Sequence, residues 1–194
     1  MTPRLRKWAL TAHITFSVGW IGAVAGFLVL SIAGLTSRDA EIVRGAYLAM
    51  NLIGWCVIVP MSLAALASGL VQALGTEWGL FRNYWVLVKF VLTILATILL
   101  LLHQYTAVAE AARRASVAAP GAFPEVGRLG TQLVGDAGLA VLVLLVITTV
   151  SVFKPWGRTR YGRSEFKILL AAIGALIIVF VVRHLIGGHG SHGH

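Results

Sequence analysis

The sequence predicts an all-α protein, a polytopic bundle of five transmembrane helices. Of its 194 residues, 58% are hydrophobic and only 12% are charged, whereas about a quarter of residues are charged in soluble domains. Five apolar segments each reach the ~20 residues that a helix needs to cross a bilayer. They cover residues 8–35, 46–74, 84–108, 133–153 and 166–186. We therefore expect one transmembrane domain over residues 1–188 and a His-rich tail over residues 189–194.

The excess of basic residues predicts orientation in the membrane and not binding to nucleic acid. The formal charge of +9 is spread beside the spans, and no nucleic-acid motif is present. Counting alternate sides, ten Lys and Arg residues fall on the side of the N-terminus and six on the other. The positive-inside rule then predicts a cytoplasmic N-terminus and an external C-terminus.

The third span carries ionisable side chains near both ends. Lys89 lies near its start and His103 near its end, and helical periodicity brings both close to one stripe. An ionisable group that faces lipid costs at least ~2.5 kcal/mol on insertion scales. We therefore expect the stripe to face protein or a wet cavity, with the other spans packed around it.

The first and second spans carry packing signals. A polar stripe on the first span includes His13, and a nearly opposite stripe has the GxxxG spacing of Gly22 and Gly26. We expect neighbours on both sides of this span, with the two glycines against another helix. Pro60 lies near the centre of the second span, where its missing N–H predicts a kink.

The alternating directions of the spans predict two polar layers. His13 and Lys89 lie near the cytoplasmic ends of the first and third spans, and His103 and His184 lie near the outer ends of the third and fifth. Asn51 and Asp136, from the second and fourth spans, approach the outer layer. Because intramembrane ionisable residues are functional by default, both layers are candidate sites.

Several chemistries fit these layers. His103 and His184 can ligate one iron or copper, or each can bond to backbone and lipid headgroups. His13 with Lys89 fits a proton or carboxylate site better than a metal site, because a charged lysine disfavours a cation; interfacial snorkelling is the alternative. The tail supplies three further candidate ligands for copper, nickel or zinc: His189, His192 and His194. Cys56 is the only cysteine, which excludes an intrachain disulfide.

Two motifs resemble a known family. The segment HITFSVGWIGAV resembles the first span of copper-resistance D proteins and of a related family of uncharacterised bacterial integral membrane proteins. The segment WGLFRNYWVLVKFVLTILATILLLLH resembles their later motif, a loop that leads into a helix with an early lysine. The resemblance covers residues 8–104 and implies a multi-pass protein of the bacterial cytoplasmic membrane.

A more distant resemblance concerns haem. A first-span histidine together with a third-span tryptophan, lysine and histidine is similar to the arrangement in HemJ-type protoporphyrinogen oxidases, which bind haem. That resemblance implies His13, Lys89 and His103 as the positions to carry over.

The first hypothesis is a membrane protein that holds haem b or a metal such as copper between helices, for redox or metal handling. His103 and His184 are then axial ligands, Arg183 pairs with a propionate, and a quinone or redox protein is a partner. The alternatives are a copper transport or uptake component and a non-catalytic accessory subunit. The sequence leaves open whether the protein is an enzyme, and its substrate and oligomeric state.

Overall fold

The described chain is helical throughout. The structure is a computed structural model that describes residues 2–75 and 84–153, and within these ranges it contains no β-strand. The α-helices are α1 (Pro3–Thr36), α2 (Ala40–Ile53), α3 (Val59–Gly75), α4 (Tyr84–His103), α5 (Ala109–Val117) and α6 (Arg128–Phe153). One π-helical turn, Gly54–Ile58, joins α2 to α3, and another, Gln104–Val108, joins α4 to α5. The predicted all-α class is confirmed.

Four helical rods are long and apolar enough to cross a membrane. They are Pro3–Thr36, Ala40–Gly75, Val88–Val117 and Arg128–Phe153. The protein is therefore a multi-pass membrane protein, and these rods correspond to the first four predicted spans. The predicted fifth span at 166–186, with Arg183, His184 and the His-rich tail, lies outside the described residues.

Capping side chains fix where the first two helices begin. The Thr2 hydroxyl accepts a hydrogen bond from the Leu5 N–H at 3.4 Å, and Pro3 follows at the first helical position, where its missing N–H costs nothing. The Asp39 carboxylate accepts from the Glu41 N–H at 2.9 Å, which starts α2 only a few residues after α1 ends. A connection this short makes the two helices antiparallel neighbours.

The rods form a closed ring of four. The α1 helix packs against the second rod and against α6, and α4 packs against α3 and α6. The prediction that α1 has neighbours on both sides is thereby confirmed. Its buried stripe includes Trp20, Val24 and Ser31, which the sequence placed on one face. Consequently α1 and α4 lie diagonally opposite and face each other across the centre of the bundle.

Close approach occurs at glycines other than the predicted pair. No described atom lies within 4 Å of a Cβ built at Gly22 or Gly26, so the predicted contact is not found between the described helices. A Cβ at Gly34 would instead lie 3.0 Å from the ring of the fully buried Tyr47, and one at Gly130 would lie 2.8 Å from its hydroxyl. GxxxG spacing identifies a face but not the helix that covers it, which explains the difference.

The second rod contains a widened turn close to Pro60, the residue at which the sequence predicts a kink. The π-helical turn Gly54–Ile58 ends two residues before the proline. Proline lacks the N–H that would bond to the carbonyl four residues back, and its ring clashes with that carbonyl. An extra residue in the turn relieves both problems while the rod continues across the membrane.

Candidate functional site

Two of the cavities between the described helices lie at different levels along the bundle axis. The larger, about 600 Å³, lies at the end where α1 and α4 begin and is called here the Lys89 cavity because Lys89 and His13 line it. The smaller, about 110 Å³, adjoins His103 and Asp136 and is called the His103 cavity. The described structure therefore places polar residues in two layers, in agreement with the sequence.

His13 is held by a contact between the first two rods. Its Nδ1 lies 3.0 Å from the Ser68 hydroxyl oxygen, and that hydroxyl donates to the Ala64 carbonyl at 2.7 Å. Because the hydroxyl proton is already used, Nδ1 is the donor of the pair in the tautomer that carries the proton on this nitrogen, and the Ala65 backbone is a further hydrogen-bond partner of the ring. Gly69 makes room for the ring, since a Cβ there would lie 3.2 Å from His13 Cε1.

Lys89 brings a basic side chain to this cavity. It projects from α4, diagonally opposite His13 on α1, and its side chain is partly buried. Arg6 lies at the same cavity, and none of the described lining residues is an aspartate or a glutamate. A cationic group in a region of low dielectric and without a nearby carboxylate favours an anionic ligand and disfavours a metal cation.

The walls of the Lys89 cavity combine apolar and hydroxyl-bearing side chains. Ser17 and Thr93 line it from α1 and α4, among residues such as Phe90 and Ile147. Gln72 ties α3 to α1, since its amide nitrogen donates to the Ala9 carbonyl at 3.1 Å. A volume of about 600 Å³ lies within the ~300–1,000 Å³ of typical small-molecule sites, which have mostly apolar walls and a few polar groups.

The second layer is centred on a buried histidine and carboxylate. His103 Nδ1, at the end of α4, lies 3.4 Å from Asp136 Oδ2 on α6, and both residues are at least nine-tenths buried. The adjacent Gln104 donates from its amide to the Asn51 carbonyl at 3.3 Å and side-chain oxygen at 3.2 Å. The sequence predicted that Asn51 and Asp136 lie at this level. It did not predict that Asp136 pairs with His103 or that Asn51 pairs with Gln104.

The described cavity beside His103 is smaller than a haem. It measures about 110 Å³, and its walls include Trp20, Phe27 and Leu144. Sites for drug-sized ligands need about 300–1,000 Å³, and a porphyrin is at least of that size. Within residues 2–75 and 84–153, no group of three or more His, Cys, Asp or Glu side chains could hold a metal ion. The predicted partners of His103 in the haem hypothesis, His184 and Arg183, lie outside these ranges.

Comparison with known proteins gives no relative from which a function could be transferred. The chain matches no protein-family model, no curated protein and no solved structure. The resemblances to copper-resistance D proteins and to HemJ-type oxidases stay predictions that rest on motifs within residues 8–104. The class of protein, an all-helical multi-pass membrane protein, rests on the four described rods.

Proposed function

We propose that the protein binds an amphipathic organic anion, a carboxylate with an apolar tail, in the Lys89 cavity. One observation carries the proposal: a cavity of about 600 Å³ within the bundle has a lysine and a histidine on facing helices and no acidic residue among its described lining. Lys89 would hold the carboxylate by a charge-assisted hydrogen bond. The apolar lining would take the tail, whose transfer from water is favourable.

His13 would recognise a second group on the ligand. Its Nδ1 is engaged by Ser68, so Nε2 is the nitrogen that would face a ligand. In the neutral ring that nitrogen accepts a hydrogen bond, which selects a hydroxyl, an N–H or a bound water. Lys89 would thus recognise the ligand by its charge, and His13 would recognise it by a hydrogen bond.

The distribution of basic residues supports a cytoplasmic location for this cavity. Ten of the Lys and Arg residues fall on the side of the N-terminus by the predicted topology, and that side is cytoplasmic by the positive-inside rule. In a bacterial cytoplasmic membrane, the ligand would then arrive from the cytoplasm or from the inner leaflet of the bilayer.

Binding of radiolabelled octanoate to the full-length protein in lipid nanodiscs tests this role. Lys89→Gln should weaken binding about 10- to 100-fold, because a hydrogen bond to a charged group contributes ~1.5–3 kcal/mol. Lys7→Gln is the matched control, since Lys7 is exposed and does not line the cavity. Two results would contradict the proposal. One is an equal affinity for octanoate in the wild type, Lys89→Gln and Lys7→Gln. The other is that unlabelled octylamine displaces the radiolabelled octanoate as strongly as unlabelled octanoate does.

The haem or metal hypothesis is the second candidate, and the copper-uptake and accessory-subunit alternatives stand behind it. The observation that favours it is the buried Asp136 beside His103, because carboxylates commonly orient histidines that bind metals. It predicts a Soret band or stoichiometric copper in the purified protein, lost in His103→Ala. A colourless protein without bound iron or copper after growth in supplemented medium would exclude haem and resident copper.

A further inference from the structure

One wall separates the two cavities. Trp20 on α1 and Leu144 on α6 line both the Lys89 cavity and the His103 cavity. Both residues are buried, and Trp20 is only 5% exposed. Along α1, His13 lies on one side of this wall and Phe27 on the other. The two cavities are therefore neighbours along the bundle axis, and Trp20 and Leu144 form the partition between them.

The indole of Trp20 has a polar group at this partition. Its Nε1 is buried and has no hydrogen-bond partner among the described residues. A buried donor without a partner costs ~1–3 kcal/mol, so an unsatisfied N–H in a packed wall is unusual. A water molecule in either adjoining cavity would satisfy it.

Ionisable groups stand on both sides of the partition. Those that line the Lys89 cavity are Arg6 and His13 from α1 and Lys89 from α4, and its lining from α3 and α6 includes none. Those that line the His103 cavity are His103 from α4 and Asp136 from α6, and its lining from α1 includes none. Histidine and carboxylate side chains inside a membrane commonly relay protons.

Both cavities have room for water. A site needs about 10–15 Å³ of probe-occupied volume and two to four polar partners to hold one water molecule. The His103 cavity, at about 110 Å³, exceeds this several times, and its polar groups, Gln104, His103 and Asp136, lie in an otherwise apolar lining. Water held by these groups and water in the Lys89 cavity would stand on opposite sides of the Trp20 partition.

We infer that the two cavities are the two halves of one path for protons across the bundle, closed in this structure by Trp20 and Leu144. A proton would pass through water between the pair of Asp136 and His103 on one side of the partition and His13 on the other side. Only protons are transferred, and no covalent bond to a ligand forms. A turn of the indole would join the two bodies of water. This goes beyond the proposed anion binding and shares only the Lys89 cavity with it.

Proton entry into liposomes that contain the full-length protein and a trapped pH-sensitive dye tests the inference. A potassium gradient with valinomycin drives the protons, and no organic anion is present. Trp20→Ala should raise the initial rate about tenfold or more over wild type, which corresponds to a barrier lower by ~1.4 kcal/mol. Trp20→Phe, which keeps an aromatic ring in the partition, should stay near the wild-type rate.

Two further variants separate a path from a defect in the fold. Phe27→Ala also removes a large ring, but Phe27 lines only the His103 cavity, so its rate should stay near wild type. Adding Asp136→Asn to Trp20→Ala should abolish most of the increase in the rate of proton entry, because the relay loses its carboxylate. All variants are first required to elute as single species in size-exclusion chromatography; if Trp20→Ala does not, Trp20→Val takes its place.

Three results would overturn the inference. The first is a rate of proton entry in Trp20→Ala, or in its substitute Trp20→Val, that equals the wild-type rate. The second is a rate increase in Phe27→Ala as large as that in the Trp20 variant. The third is a rate increase in the Trp20 variant that persists when Asp136→Asn is added. Because the assay contains no anion, its outcome is independent of octanoate binding. Loss of binding in Lys89→Gln therefore tests the proposed function alone, and proton entry tests the path alone.

Discussion

The His103 and Asp136 side chains form a buried polar pair in the same layer as the hydrogen-bonded Gln104 and Asn51. Asp136→Ala should lower stability by about 3–5 kcal/mol, because it removes the carboxylate that lies 3.4 Å from the buried His103 imidazole. Replacing both residues by leucine should cost much less, since an apolar pair of similar volume needs no partner. Thermal unfolding in detergent micelles measures both changes. Strictly additive effects of the two single replacements would contradict direct coupling between these residues.

Individual residues of both sites were accessible to sequence reasoning because polar groups inside an apolar span are rare. His13, Lys89, His103 and Asp136 stand out in the sequence for that reason alone. The residue that pairs with each of them could not be predicted, because pairing depends on how neighbouring helices are rotated about their axes. Ser68 beside His13 is an ordinary helix residue in the sequence, and only the packing of α1 on α3 identifies its role.

Among the helical elements, the two π-helical turns meet through one side chain. Gly54 opens the first turn and Gln104 opens the second, and a Cβ at Gly54 would overlap the Gln104 amide. Gly54→Ala should therefore lower stability by about 1–3 kcal/mol through overpacking. The additional change Gln104→Ala should relieve the overlap, although it sacrifices the bonds to Asn51.

Gly45→Ala provides the matched control for this prediction. Gly45 is exposed on α2, and no atom of the described residues lies within 4 Å of a Cβ built there. The change should leave stability unchanged or raise it by roughly 0.5–1 kcal/mol, as glycine is unfavourable inside a helix. An equal loss in both alanine variants would mean that the Gln104 contact is not the cause.

The positions of the helices were largely predictable, and the irregular turns were not. Apolar length identified all four described rods, and α5, Ala109–Val117, extends the third rod beyond the predicted end of its span at residue 108. The π-helical turns left no signal in composition, because an inserted residue changes the direction of a helix and not its hydropathy. The contact expected at Gly22 and Gly26 shows the same limit, since small residues permit close packing without requiring it.

For the whole molecule, the predicted topology places the two ends of the bundle on opposite sides of the membrane. In a Cys56→Ser background, Ala119→Cys should react in intact cells with a maleimide that cannot cross membranes. Leu5→Cys should react only after permeabilisation, because the positive-inside rule predicts a cytoplasmic N-terminus. Both positions are exposed, and neither replacement changes the charge that sets the orientation. The opposite labelling pattern would reverse the predicted topology.

The central claim at this scale is that the ligand site is the Lys89 cavity. Diffraction from crystals grown with ω-bromooctanoate tests it most directly, because anomalous scattering locates the bromine without reference to the protein. We expect one bromine peak within the cavity that His13, Phe90 and Lys89 line, with the carboxylate in hydrogen-bond contact with Lys89 Nζ. A peak beside His103 and Asp136, or bromine only on the lipid-facing surface, would contradict the claim.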